Sequence, residues 1–277
     1  MNDRRQKIKT RHYPTNGQIC LDDTIMDYVS FGQGDQALIL LPGLSDGLRT
    51  VKGMALPLSW SYRAFGQEYR VFVFSRKNEL PLNYSTRDMA ADQAKAMEIL
   101  GITQAYVLGV SQGGLIAQYL AIDYPQKVEK LVLAMTFCKP NEVLQNVVEN
   151  WISMAKQGDY QSLIIDTAQK NYANEKRYRF LYPLLGRIGK PKDFVRFIIQ
   201  AKSCLQHDAY KELNRIACPT LILGGGCDHI VGSSAALELA AEIPNQELFI
   251  YSDLGHGAYE EAKDFNQRVL HFLSKSA

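Results

Sequence analysis

The sequence predicts an α/β fold, a mostly parallel sheet flanked by helices with a helical segment inserted, and three observations carry that expectation. Short continuous apolar runs recur along the chain, helical periodicities lie between several of them, and from about Asn141 to Glu212 the alternation gives way to helical periodicity without a strand. Parallel neighbours need long crossover connections, so a chain alternating strand and helix in this way builds a sheet covered on both faces. The 277 residues, 46% hydrophobic and 22% charged, are enough for one large core. Disorder, collagen and a small disulfide scaffold are excluded.

The chain is expected to open antiparallel. Arg11–Thr15 and Gln18–Leu21 read as two short strands joined at Asn16-Gly17, a dipeptide suited to the positive φ angles of a tight hairpin. Ala37–Leu41 is a continuous apolar run stopped by Pro42-Gly43, the pattern of a strand buried on both faces. The runs Arg70–Phe74, Ala105–Val110, Val128–Ala134, Thr220–Leu223 and Glu247–Tyr251 repeat the theme. Between them, Met89, Ala90, Ala94, Met97 and Leu100 recur at helical spacing over Arg87–Leu100, with Ser85 or Thr86 as the cap and Gly101 as the stop. The inserted segment, residues 141–212, separates core portions 1–140 and 213–277. Roughly four short helices fit it, broken near Gly158, Tyr172 and Pro183–Pro191. One apolar stripe runs through Leu144, Val147, Val148, Trp151 and Met154 or Ala155, and a second begins at Phe194, Phe197 and Ile198.

Charge and cysteine content narrow the partners. Lys and Arg total 31 against 29 acids, a net +2 that gives no field arguing for nucleic acid or a lipid surface, so a small-molecule partner is expected. The apolar runs fall far short of the roughly 20 residues of a membrane helix, and the basic start of the chain lacks the apolar core of a secretory signal. Five cysteines without paired short spacing argue against a disulfide framework and a zinc knuckle, and reduced thiols in a cytoplasm fit them. No residue pattern specifies an oligomeric state.

The chemistry centres on Gly109-Val110-Ser111-Gln112-Gly113-Gly114, which follows a buried strand and opens a helical pattern, Leu115–Asp123. The turn at Ser111 must be so sharp that the residues two before and two after it have to be small, which accounts for Gly109 and Gly113. A serine there presents its hydroxyl above the sheet, and the helix behind it directs free amides toward a developing oxyanion. Serine is a poor nucleophile at neutral pH and needs a base, for which histidine is suited. Of five histidines, His256 stands in a glycine-flanked loop directly after a strand, where open α/β sheets assemble their sites. His12 and His271 read as structural or exposed, and His207, where the insert returns to the core, reads as a surface residue with a pocket-lining position as the alternative. An acid must orient the base, and Asp228 follows the glycine run Gly224-Gly225-Gly226. Its neighbour His229 is the rival base, although adjacent residues seldom point the same way. Asp228 also has a plainer reading, as a turn residue or helix cap.

Ser111, Asp228 and His256, in that order and each just past a strand, resemble the α/β-hydrolase superfamily, with Tyr84–Ala90, Cys218–Leu221 and the glycine turn before Asp228 extending the likeness from about Ile19 to the C-terminus. The branch it looks most like is the cap-bearing one of esterases and carbon-carbon bond hydrolases. That resemblance implies a cap over residues 141–212 and an oxyanion hole from the amides of Gln112 and Leu44, with Gly43 as the alternative to Leu44. It implies no metal, nucleotide or prosthetic group. Two departures stand out: Pro42-Gly43 replaces the His-Gly of many relatives, and Ser75-Arg76-Lys77-Asn78 replaces an Asp with Arg-Gly. Arg76 reads equally well as a pocket residue and as a solvated loop charge.

The reaction expected is acyl transfer, in which His256 deprotonates Ser111, the serine attacks a carbonyl, two amides hold the oxyanion and water releases the acyl group. Trp151, Tyr160, Phe180, Tyr182, Phe194 and Phe197 are the candidates for apolar substrate contacts, although packing within the insert is the plainer reading for any one of them. Between Lys139 and Cys204, 11 Lys and Arg face 6 acids, which suits either an anionic substrate or a solvated basic face. An acyltransferase, a carbon-carbon bond hydrolase and a catalytically silent ligand sensor remain open on the same framework.

Overall fold

The computed structural model describes residues 11–22, 24–173 and 189–275. Its strands are β1 (Arg11–Leu21), β2 (Thr24–Gln33), β3 (Ala37–Leu41), β4 (Arg70–Lys77), β5 (Ala105–Val110), β6 (Val128–Ala134), β7 (Thr220–Gly225) and β8 (Gln246–Tyr251). They form one sheet in the order β1-β2-β4-β3-β5-β6-β7-β8, antiparallel from β1 to β4 and parallel from there on. The crossover helices Thr86–Ile99, Gln112–Asp123 and Ala235–Glu242 pack on one face, while Ala55–Ser61 and Phe265–Ser274 pack on the other.

Burial on both faces explains why the parallel strands read as unbroken apolar runs. In β3, Ile39 and Leu41 enter the cluster that holds Met89, Ile116 and Leu239, whereas Leu38 and Leu40 enter the one that holds Phe65, Val269 and Phe272. Ser85 caps the helix Thr86–Ile99 in a full capping box with Asp88, and Gly101, at φ +68, ends it in the left-handed region.

The antiparallel start differs from the sequence expectation. Asn16-Gly17 is not a turn: β1 runs straight through it, and the reversal lies at Asp22, with φ 54. Gly17 sits opposite Tyr28 on β2, and any side chain there would overlap the tyrosine ring. The glycine accommodates a neighbour rather than a bend.

Between β6 and β7 lie the helices Glu142–Lys156, Tyr160–Asn171 and Val195–Gln206. Asn141 caps the first by accepting from Leu144 N–H at 2.9 Å, Gly158 breaks the chain at φ +70, and Asp159 caps the second by accepting from Ser162 N–H at 3.0 Å. Leu144, Val148, Trp151, Leu163 and Phe197 form a third cluster that reaches Leu115, Ile230 and Ala235 of the core. That cluster seats the segment over the strand ends. Among the described residues, no helix is long and apolar enough to cross a membrane.

Candidate active site

Ser111 joins β5 to the helix Gln112–Asp123 with φ 54 and ψ −121, a conformation that L residues adopt only when their surroundings enforce it. The enforcement comes from backbone packing. A Cβ on Gly113 would lie 2.6 Å from the Leu41 carbonyl carbon and 2.8 Å from Pro42 O, and one on Gly109 would lie 2.7 Å from Gly114 Cα. The glycines thus let the elbow close against the end of β3. Ser111 N–H donates to Ala134 O at 2.9 Å, and Thr136 Oγ1 donates to Ser111 O at 2.8 Å, which fixes the turn from the β6 side.

Three distant side chains meet there. His256 Nε2 is 3.0 Å from Ser111 Oγ, and His256 Nδ1 is 2.8 Å from Asp228 Oδ2. Asp228 Oδ1 accepts from the backbone N–H groups of Ile230 at 2.8 Å and Val231 at 2.9 Å. One carboxylate oxygen is therefore anchored and the other faces the imidazole. Asp228 and His256 are both buried. The histidine loop is tied to the insert, since Gly257 N–H donates to Asn171 O at 2.6 Å.

The other histidines lie elsewhere. His229 is exposed. His207 corrects the expectation of a surface residue, because it is 1% exposed, with Nδ1 2.9 Å from Thr86 Oγ1 and Nε2 3.3 Å from Gln118 Oε1. Burial without a charge partner pulls its pKa down to about 3, so it is neutral in the fold.

On the other side of Ser111, Leu44 opens a short turn, Leu44–Gly47, and lines the cavity with Gly43. A Cβ on Gly43 would stand 3.2 Å from Ser111 Cβ, so the loop after β3 passes directly over the serine. Gln112 is the first residue of its helix, and its amide has no acceptor in a preceding turn. Arg76 is neither a pocket residue nor a solvated charge: it is fully buried, its Nη2 donating to Pro42 O at 2.7 Å and to Gln112 Oε1 at 2.9 Å. Desolvation pulls its pKa below the ordinary value, and Asp46 opposes that pull. Asp46, Arg196, Gln200 and Ser203 complete the polar cluster, with Arg196 Nη2 donating to Asp46 Oδ2 at 2.7 Å.

The serine opens on a cavity of about 280 Å³ whose apolar wall includes Val148, Trp151, Leu163, Ile164, Phe197 and Ile230. Trp151 and Phe197 thus reach it. Phe194 does not: it packs against the Tyr160 ring inside the insert, with centroids 6.4 Å apart. Phe180 and Tyr182 lie outside the described residues. Glu260 and Tyr172 stand at the cavity, the tyrosine hydroxyl donating to Glu260 Oε2 at 2.6 Å. Among the described residues no Lys or Arg lines it, and Lys170 and Arg196 of the basic insert pair with Asp166 and Asp46 instead.

A family model described as the alpha/beta hydrolase fold matches residues 36–263. The chain belongs to the α/β-hydrolase family. It is 27% identical over 281 residues to a 2-hydroxy-6-oxononadienedioate/2-hydroxy-6-oxononatrienedioate hydrolase of Pseudomonas sp, covering 94% of this chain and 93% of that relative. Among solved structures, MGS-M2, an alpha/beta hydrolase from a Medee basin deep-sea metagenome library, superposes with a TM-score of 0.81 at 23% identity, covering 94% of this chain and 98% of that one. The enol-lactonase of Burkholderia xenovorans LB400 gives a TM-score of 0.78 at 19% identity, covering 94% and 100%.

Sequence reasoning missed the polar side of this hydrolase's site. Asp46, Gln200 and Ser203 carry no motif, and they meet Arg76 and Gln112 only because the helix Val195–Gln206 returns across the end of β4. Glu260 had a faint signal, four residues after His256 in the short helix Ala258–Glu261 that follows the histidine loop. Tyr172 carries no sequence signal beyond that of a helix break.

Proposed function

We propose that this α/β-hydrolase cleaves a carboxylic ester or related acyl bond of a small, partly apolar substrate through an acyl-enzyme on Ser111. The observation that carries the reading is the hydrogen-bonded chain from Ser111 Oγ through His256 to Asp228 at the floor of a largely apolar cavity. As Ser111 Oγ attacks the carbonyl carbon, its proton passes to His256 Nε2, and Asp228 stabilises the imidazolium across Nδ1. The carbonyl oxygen gains the electron pair and is held by the amides of Gln112 and Leu44. Collapse expels the alcohol, which takes the proton from His256, and water repeats the sequence to free the acid. Ligand cavities span about 300–1,000 Å³, so one of about 280 Å³ suits a small acyl or aryl group.

A second reading, hydrolysis of a carbon-carbon bond beside a ketone, is favoured by the dienedioate hydrolase that matches nearly the whole chain. The two separate by substrate. A fluorophosphonate probe should label the native protein and not Ser111→Ala, after which p-nitrophenyl esters of increasing chain length and a vinylogous diketo acid are compared. Faster turnover of the diketo acid than of every ester selects the second reading. Acyl transfer to an added alcohol in preference to water would make the protein an acyltransferase. Labelling that persists in Ser111→Ala overturns both.

A further inference from the structure

We propose that Arg76 is the positioning residue of the oxyanion hole, a buried guanidinium that fixes both peptide segments whose amides receive the developing charge. The assignment rests on Ser111 being the nucleophile. Arg76 lies near the C-terminal end of β4 and is fully buried, so it does not reach substrate. Its Nη2 bonds to two acceptors, Pro42 O and the Gln112 side chain, while Nε and Nη1 have no partner among the described residues.

Those acceptors belong to the two arms of the hole. Pro42 O is part of the peptide unit that carries Gly43 N–H, and the C=O and N–H of a trans peptide point in opposite directions. Holding the oxygen therefore sets the plane in which the Gly43 amide lies and the entry to Leu44. On the second arm, Gln112 supplies the amide at the helix start. Its side chain is held at both ends, Oε1 by Arg76 and Nε2 by Gln200 O at 2.8 Å and Ser203 Oγ at 3.2 Å. One guanidinium nitrogen thus ties the end of β3 to the start of the helix behind Ser111.

The cluster is set by its backing. Arg76 N–H donates to Asp46 Oδ2 at 3.3 Å, and that oxygen also accepts from Arg196 Nη2 and Gln200 Nε2. Arg196 Nη2 donates to Arg76 O at 3.0 Å as well. The strand end that carries Arg76 is thereby locked to the insert. Any buried guanidinium needs acceptors; what distinguishes Arg76 is that both of its acceptors come from the two arms of the hole. A hole whose donors are preset does not reorganise as the oxyanion forms, and that is where such a residue acts.

The test compares the wild-type protein with Arg76→Lys, Gln112→Met and the double variant. Lysine has one ammonium and a shorter reach across two acceptors, while methionine keeps the amide at 112 and removes the strut. The readouts are kcat and KM for p-nitrophenyl acetate, inhibition by phenylboronic acid, whose adduct on serine is tetrahedral, and the thermal midpoint. Each single variant should lower kcat by about 10- to 100-fold while KM stays within about threefold, and should weaken boronate inhibition by the factor lost in kcat. The double variant should be no slower than the worse single one. Folded variants that keep kcat and boronate inhibition within about twofold of wild type, with only the thermal midpoint lowered, overturn the proposal and leave a structural arginine. If Arg76→Lys does not fold, Gln112→Met decides by the same criteria. Ser111→Ala is measured alongside, and turnover surviving there refutes the nucleophile assignment, a result distinct from an unchanged Arg76→Lys.

Discussion

Replacing Asp228 by Asn separates the acid's role in orienting His256 from its role in holding the loop together. Asp228 Oδ1 accepts from two backbone N–H groups, at 2.8 and 2.9 Å, and Oδ2 meets a single imidazole nitrogen at 2.8 Å. An asparagine has one acceptor oxygen and one donor NH2. Turning the oxygen to the two N–H groups keeps two bonds, whereas turning it to His256 would set NH2 against two donors, so the first arrangement wins. The NH2 then faces His256 Nδ1, which must present its lone pair, and the ring proton moves to Nε2. There it points at Ser111 Oγ, 3.0 Å away, and the base is gone. The same tautomer inversion in serine proteases costs about 10⁴ in kcat, or about 5 kcal/mol in the barrier. Stability should change little, since the loop keeps both of its anchoring bonds. The assay is kcat for p-nitrophenyl acetate at neutral pH beside a urea unfolding curve. A folded Asp228→Asn within about tenfold of wild type would refute the reasoning.

Four other outcomes are expected. His207, with a pKa of about 3 in the fold against the ordinary 6.5, takes a proton in the unfolded chain first, so stability falls as pH drops below 6.5, by about 2 kcal/mol at pH 5. Urea unfolding at pH 7 and pH 5 should show that extra loss in wild type and not in His207→Gln, and equal losses would count against it. Gly113→Ala forces a Cβ into the backbone at the end of β3 and should abolish fluorophosphonate labelling, whereas Gly101→Ala, with open space and φ +68, should cost about 1 kcal/mol in urea unfolding and leave labelling intact. Similar behaviour of the two would contradict the packing account of the elbow. Ile164→Phe narrows the cavity and should lower kcat/KM for longer p-nitrophenyl esters relative to the acetate, each excluded methylene being worth about 0.8 kcal/mol. An unchanged chain-length profile would place the acyl group elsewhere.

How far the sequence could be read follows from where each signal resides. β5 and β6 fall at the expected residues because strands buried on both faces leave an unbroken apolar run with sharp ends. β2 went unread because Asp27, Ser30 and Gly32 interrupt its pattern, and one of them is used by neighbours: Asp27 Oδ2 accepts from Thr50 at 3.0 Å. Gly17 misled because a glycine required by a ring across the sheet looks the same in sequence as one required by a turn. At the site, Ser111, Asp228 and His256 were legible since each follows a strand in a glycine-marked loop. Arg76 was not, because what defines it is a pair of acceptors from segments more than thirty residues away, and no local pattern records them. Phe194 and Phe197 show the same limit at closer range, since three residues along one segment separate a side chain that packs on Tyr160 from one that reaches the cavity.

The claim at the centre is that Ser111 Oγ becomes covalently bonded to the carbonyl carbon of the substrate. Acid quenching during turnover of a p-nitrophenyl ester, followed by proteolysis and mass spectrometry, tests it directly. One acyl group on the peptide that contains Ser111, accumulating in the wild-type protein and absent from Ser111→Ala, is the predicted result. An acyl group on any other residue, or ester turnover undiminished in Ser111→Ala, would contradict it.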